Sequence, residues 1–265
     1  MNRPEYELMY AREETDWWYV GRRNMARSLI ERQVWPESNA LILDVGCGTG
    51  GNLTTLAPYG SVIGVDLSSI ALDLAHQRRS TRCMAQASAL RLPFTDNTFD
   101  LITSFDILYH RWVTDDSQAL SELYRLVRPG GRLLLTDSAL PLLWSSHDQR
   151  YFARQRYTLP DMRRKLQAAG FEIRLCSYAN TLLLPIFLLL RLTMDWLPAT
   201  FKLHQWQTPG WLNEGLIGLR DLETDWLLRG HTLPLGSSLV CLCVKPNPTT
   251  SSPLENEPFP KGRPL

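Results

Sequence analysis

The sequence predicts a doubly wound α/β fold, a seven-stranded, mostly parallel sheet flanked by helices, with an N-terminal helical cap and a helical insertion before the last strand. Three observations carry this reading. Short, nearly continuous apolar runs such as ALILDV (40–45), VIGV (62–65) and FDLITS (99–104) have the pattern of strands buried on both faces. Segments with helical apolar spacing lie between them, so strands and helices alternate from 40 to 175, which implies crossover connections and parallel pairing. The first run ends in Asp44 and a glycine cluster, a strand-to-helix turn nearly free of side chains.

Residues 5–33 read as helical, without Gly or Pro from Glu5 until Gly21, and carry the cluster Trp17-Trp18-Tyr19. After the first strand a helix is expected near 51–56. The second strand closes on Asp66, and Ser68 or Ser69 can cap the helix that follows, which carries Ile70, Leu74 and Ala75 on one side. Arg82–Ala85 reads as a short third strand and 99–104 as the fourth. Over 117–127, Leu120, Leu123, Tyr124 and Val127 fall at i, i+3, i+4, i+7, an amphipathic helix. Arg128-Pro-Gly-Gly131 stops it, and RLLLT (132–136) is the fifth strand. Thr158 opens a helix to Ala169 with Gly170 as its stop, and 171–175 is the sixth strand. Helices are expected over 181–197 and 213–229, before a last strand at 237–244. The organisation is a cap over 1–36, one α/β domain over 37–245 with its insertion at 181–230, and a tail over 246–265. That tail is rich in Pro, Ser, Thr and Glu, with little to bury, and reads as disordered.

With 28 basic and 27 acidic side chains the formal charge is +1, so no field captures nucleic acid by charge alone and no nucleic-acid partner is expected. Cysteines stand at 47, 83, 176, 241 and 243 without paired Cys or His clusters. No metal site is expected, and the cysteines read as buried, reduced thiols suited to a cytoplasmic protein. The N-terminus is polar and of mixed charge, unlike a secretory signal. The longest apolar run, Leu182 to Leu190, is shorter than the ~20 residues a spanning helix needs.

The segment L-D-V-G-C-G-T-G-G (43–51) is the strongest chemical signal. Lacking side chains at 46, 48, 50 and 51, it lets a ligand approach the backbone near a helix start. Asp66, 22 residues after Asp44, ends the next strand, where a carboxylate can accept two hydrogen bonds from a ribose diol. Gly46, Gly48 and Gly51 also satisfy the dinucleotide pattern G-x-G-x-x-G, which keeps an NAD-dependent oxidoreductase as an alternative. Against it, Asp44 lies where a negative charge would not help a pyrophosphate but could hold an ammonium.

Four ordered strings, D-V-G-C-G-T-G (44–50), V-I-G-V-D-L-S (62–68), A-L-R-L-P-F-T-D-N-T-F-D (89–100) and R-L-V-R-P-G-G-R-L-L-L (125–135), resemble the successive signatures of class I S-adenosylmethionine-dependent methyltransferases, in particular the type 11 group. The resemblance covers about residues 40–137 and implies a Rossmann-like methyltransferase fold with S-adenosyl-L-methionine as cofactor. It implies that Gly46, Cys47, Gly48 and Gly50 wall the methionine side, with Asp44 near the amino group. Asp66 would bind the ribose hydroxyls and Leu67 would pack on adenine. Ser88 stands where many relatives carry an adenine-binding Asp, beside Ala89, which loses a charge-assisted bond. Phe105, within 104–106, would border the methyl-donor end.

The acceptor is less legible. His110 follows the fourth strand, and three readings stay open for it: general base, structural His, or pocket wall. Tyr109 and Trp112 read chiefly as packing. The loop 145–158, with His147, Asp148, Arg154, Arg156 and Tyr157, is either a lid recognising an anionic or sugar-bearing acceptor or a solvated, salt-bridged loop. The string W-W-Y-V-G-R-R (17–23) resembles a lid segment of this group, which would turn Trp18, Tyr19 and Arg22 or Arg23 toward the site; the alternative is aromatic packing. Residues 182–192 are apolar all round and suit burial beneath the 213–229 helix, a wall for a lipid-like acceptor, or peripheral contact with a membrane or partner. The resulting expectation is methyl transfer to a small or lipid-linked, apolar or amphiphilic acceptor; a cofactor-binding module without catalysis is the other alternative.

Overall fold

The computed structural model describes residues 2–34, 39–78, 83–194 and 208–248, with only the backbone of 33–34 and 190–194. Seven strands form one sheet: β1 (Ala40–Val45), β2 (Gly60–Asp66), β3 (Met84–Gln86), β4 (Phe99–Phe105), β5 (Val127–Ser138), β6 (Glu172–Ala179) and β7 (Ser238–Val244), in the order β3-β2-β1-β4-β5-β7-β6. Pairing is parallel from β3 to β5, whereas β7 runs antiparallel between β5 and β6. Period-two alternation divides the core between the two faces. Leu43, Ile102, Leu133, Leu135 and Cys241 pack on one face, and Ile42, Leu101, Leu134, Val240 and Leu242 on the other.

The helices are α1 (Arg3–Arg12), α2 (Trp17–Leu29), α3 (Gly51–Leu56), α4 (Ser69–Arg78), α5 (Asp116–Leu126), α6 (Ser146–Arg150), α7 (Leu159–Ala168), α8 (Leu184–Met194) and α9 (Gly210–Leu228). The continuous helix expected over 5–33 is broken at 13–16, because the Asp16 carboxylate accepts the Trp18 N–H at 3.0 Å and restarts the chain as α2. Ser68 caps α4 through the Ala71 N–H at 3.3 Å. Tyr6 of α1 packs on Ala71 and Leu74 of α4. Helix α2 lies on α9, where a Cβ at Gly21 would come 2.6 Å from Arg220 Cδ. Arg220 Nη1 donates to Trp18 O at 2.6 Å across the same contact.

Several expectations change. The loop 145–158 contains the short α6, whose Ser145–Asp148 capping box is complete. Four cysteines are buried, but Cys83 is exposed. Leu183 is buried, whereas Leu182, Ile186 and Leu189 are exposed, so the apolar run is not wholly beneath α9. No helix among the described residues is long and apolar enough to cross a membrane. Residue 82, residues 195–207 within the insertion, and 249–265 of the tail lie outside the described residues.

Candidate active site

The strand order reverses between β1 and β4, the crevice where open α/β sheets bind ligands at the carboxyl ends of their strands. Val45 pairs with Ser104, so the glycine turn after β1 and the segment after β4 emerge side by side. Gly46, Gly48 and Gly50 adopt φ of +76°, +55° and +88°, a left-handed region that costs other residues. Gly46 also needs its missing side chain, because a Cβ there would lie 1.9 Å from Ile107 Cδ1. Gly50 serves as the N-cap of α3.

Asp66 accepts the Gly48 N–H at 2.9 Å and the Ser68 N–H at 2.8 Å, which locks β2's end to the turn. Burial raises its carboxyl above the usual range against those two bonds. Asp44 lies under the turn; its Oδ1 accepts from Thr103 Oγ1 at 2.6 Å, while its Oδ2 is buried with no hydrogen-bond partner among the described residues. Burial pushes that carboxyl up to about 7, with the Thr103 bond opposing. An orphaned buried oxygen beside a side-chain-poor turn fits a cationic amine, the one group of a methionine moiety that would relieve it.

A cavity of about 760 Å³ extends from this turn, within the range of small-molecule sites. Gly46, Cys47, Gly48, Asp66, Leu67, Ser88, Ala89 and Phe105 border it, whereas Asp44 and Gly50 do not. Ser88 Oγ accepts the Leu90 N–H at 3.2 Å. Helix α1 covers the turn with Tyr6, Met9 and Glu13, all of which border the cavity. Met9 Cε would lie 3.0 Å from a Cβ at Gly48, and the buried Glu13 carboxylate accepts from Thr49 Oγ1 and pairs with Arg78 at 3.4 Å. Sequence reasoning passed over these three residues, although 6, 9 and 13 share one helical face.

The far wall is aromatic. Trp17 stacks on Phe187 at 6.1 Å, and Trp18 meets both rings edge-on. Tyr19, Tyr109, Trp112, His147 and Tyr151 also line the cavity, as do Arg22 and Asp106, joined by a 2.5 Å ion pair. Burial pushes the Tyr109 and Tyr19 phenols up and keeps them protonated. His110 borders the cavity, but its Nδ1 faces the Trp112 N–H at 3.3 Å. Burial lowers its pKa to about 4. The ring is therefore neutral near pH 7, with its Nδ1 accepting a backbone N–H. Tyr157 must be corrected outright. It is 2 % exposed and not in the cavity wall, and its hydroxyl bonds Asp116 Oδ2 at 2.8 Å and lies 3.0 Å from Leu108 O. Its neighbour Arg156 reaches the cavity while bonding Asp148 at 2.8 Å.

Residues 43–135 match a family model described as a methyltransferase domain. The ubiquinone/menaquinone biosynthesis C-methyltransferase of Hahella chejuensis is 33% identical over 181 residues, covering 54% of this chain and 70% of that protein. The chain belongs to the class I S-adenosylmethionine-dependent methyltransferases of the type 11 group. The chain is also 40% identical over 133 residues to the demethylmenaquinone methyltransferase of Lactiplantibacillus plantarum, covering 46% of the chain and 55% of the relative. The chain spans about half the length of the first curated relatives it matches. Among solved structures, a chain of the complex between the Haloferax volcanii Trm112 activator and a methyltransferase superposes with a TM-score of 0.59 at 19% identity, covering 92% of this chain and 95% of that one. Phosphoethanolamine N-methyltransferase 2 of Haemonchus contortus, in complex with S-adenosyl-L-methionine, gives 0.55 at 22% identity over 84% of this chain and 52% of that one. Both are likenesses of fold. The family match ends before α6 and α8 and begins after α1 and α2, elements that supply part of the cavity's aromatic wall beside Tyr109 and Trp112.

Proposed function

We propose that this chain transfers a methyl group from S-adenosylmethionine to a flat aromatic acceptor with an apolar tail, of the quinol class. The observation that carries this reading is one continuous cavity running from the glycine turn to the Trp17, Trp18 and Phe187 wall. Stacked rings suit a planar acceptor, and the relatives' names, demethylmenaquinone methyltransferases, supply the class. In this reading the backbone of Gly46, Cys47 and Gly48 borders the methionine portion, and Asp44 Oδ2 draws its ammonium. Asp66 receives the ribose hydroxyls, Leu67 with Ser88 and Ala89 frames the adenine, and Phe105 borders the donor end. The cofactor supplies an electrophilic methyl carbon; the chain's part is to align the acceptor and exclude water. Phe187 faces the cavity while Ile186 and Leu189 on the same helix are exposed, so α8 offers an apolar exit for a tail.

The test has two stages. Thermal stabilisation by S-adenosylhomocysteine, with none by NAD(H), supports the cofactor assignment; the reverse ends it. Mass spectrometry of methyl transfer to a prenylated dihydroxynaphthalene, a short-tailed phenol and a primary amine then ranks acceptors. Turnover confined to the amine removes the quinol assignment.

A further inference from the structure

Asp106 stands at the donor edge of the cavity and has no part in holding the cofactor as assigned above. It follows β4 with φ +58°, a left-handed conformation that few non-glycine residues adopt and that the surroundings enforce here. Here the Asp106 N–H donates to Thr136 O at 2.9 Å, and the Leu108 N–H is held by Asp137 Oδ2 at 2.9 Å. Ile107, between them, fills the space against Gly46. The side chain is thereby turned into the cavity beside the glycine turn.

Its Oδ2 accepts from Arg22 Nη1 at 2.5 Å, and Arg22 is buried with its Nε lacking an acceptor among the described residues. Oδ1 makes no hydrogen bond among those residues. Other charged or titratable groups face the pair: Glu13 at the end of α1, Tyr19 of α2, Asp44 of β1, Tyr109 of the same loop, Asp137 of β5 and Arg220 of α9. Burial keeps the two phenols protonated, both Asp137 oxygens already accept backbone N–H bonds, from Ser138 and Leu108, and His110 Nδ1 accepts the Trp112 N–H. Among the described residues, the Arg22–Asp106 pair leaves Asp106 Oδ1 without a hydrogen bond at the cavity's edge, where it can accept a proton.

We propose that Asp106 removes the acceptor's hydroxyl proton and that Arg22 positions its carboxylate and steadies the oxygen left behind, which narrows the acceptor to a hydroxyarene. The inference rests on the methyl-transfer reading above. The acceptor O–H bond breaks and its proton moves to Asp106 Oδ1. The electron pair left on the oxygen is shared with the ring, and oxygen or a ring carbon bonds to the sulfonium's methyl carbon. The S–CH3 bond electrons stay on sulfur. When a ring carbon is the nucleophile, its hydrogen is then lost to water as a proton.

Two acceptors separate chemistry from structure: a prenylated dihydroxynaphthalene, protonated at pH 7, and a nitro-substituted phenol already ionised there. Asp106→Asn is expected to melt below wild type, because the buried Arg22 loses its counter-charge, yet to stay folded at the assay temperature and bind S-adenosylhomocysteine within about 3-fold of wild type. Its turnover relative to wild type should fall about 100-fold or more on the dihydroxynaphthalene, yet less than about 10-fold on the nitrophenol. Arg22→Lys should retain activity, whereas Arg22→Ala should lose turnover on the dihydroxynaphthalene by a larger factor than on the nitrophenol. An equal loss on both acceptors, or none on either, overturns the proposal while the methyl-transfer reading stands. A wild-type protein that binds S-adenosylhomocysteine but methylates neither hydroxyarene overturns the acceptor class and the proposal together.

Discussion

A carboxylate that already accepts N–H bonds from Gly48 and Ser68, as Asp66 does, still has lone pairs for a ribose edge, because each ionised oxygen offers about two. Asp66→Ala should weaken S-adenosylhomocysteine binding by about 1–3 kcal/mol, roughly 5- to 150-fold. Unchanged calorimetric affinity would remove its role. For His110, whose pKa is lowered to about 4, the ring stays neutral between pH 6 and 8. His110→Ala should cost less than about 10-fold in turnover and leave the pH profile in place, and a loss above about 100-fold would reinstate it as a base. Asp44, the glycines and Asp66 were legible in the sequence because each sits where an apolar run stops. The Arg22–Asp106 pair was not, since its partners lie 84 residues apart and meet only when the cap docks. Tyr157 misled because a polar loop gives no hint which of its side chains turns inward.

Among the elements, the glycine turn and α9 give opposite expectations for one substitution. Gly46→Ala adds a methyl against Ile107 at a φ of +76°, so it should lower stability by about 1–3 kcal/mol and weaken cofactor binding. Gly215→Ala, within α9 and with nothing inside 4 Å of the added Cβ, should stabilise by about 0.5–1 kcal/mol. Urea unfolding of both variants checks the contrast, and equal effects would contradict the packing described. The helices of the parallel half were readable from their apolar spacing. The break before α2 depends on a single cap, Asp16, in a stretch without Gly or Pro to mark it. The antiparallel setting of β7 left no trace in its composition, since SLVCLCV is buried on both faces whichever way it runs.

Across the whole molecule, buried carboxyls give stability a definite pH slope. Asp44 titrates at about 7 in the fold and near 3.9 when unfolded. Between those values the folded state binds the extra proton, so stability falls as pH rises through the window, by at most roughly 4 kcal/mol. Asp66 and Asp137, both raised by burial, act with the same sign, whereas Asp116, whose bonds from Lys165 and Tyr157 outweigh its burial, loses its contribution as pH falls. Urea unfolding at pH 5 and pH 8 should show the decline, and Asp44→Asn should flatten it. An unchanged slope would remove Asp44 as its source.

The placing of β7 between β5 and β6 has a consequence for how the chain acquires its shape. Among the described residues, the strand 172–179 has no pairing strand until 238–244 arrive, and until then β5 presents a bare, apolar margin. Such open margins recruit other chains. Ribosome-bound or clipped forms ending short of residue 238 should therefore clump or engage chaperones, while forms that include it close their own seam.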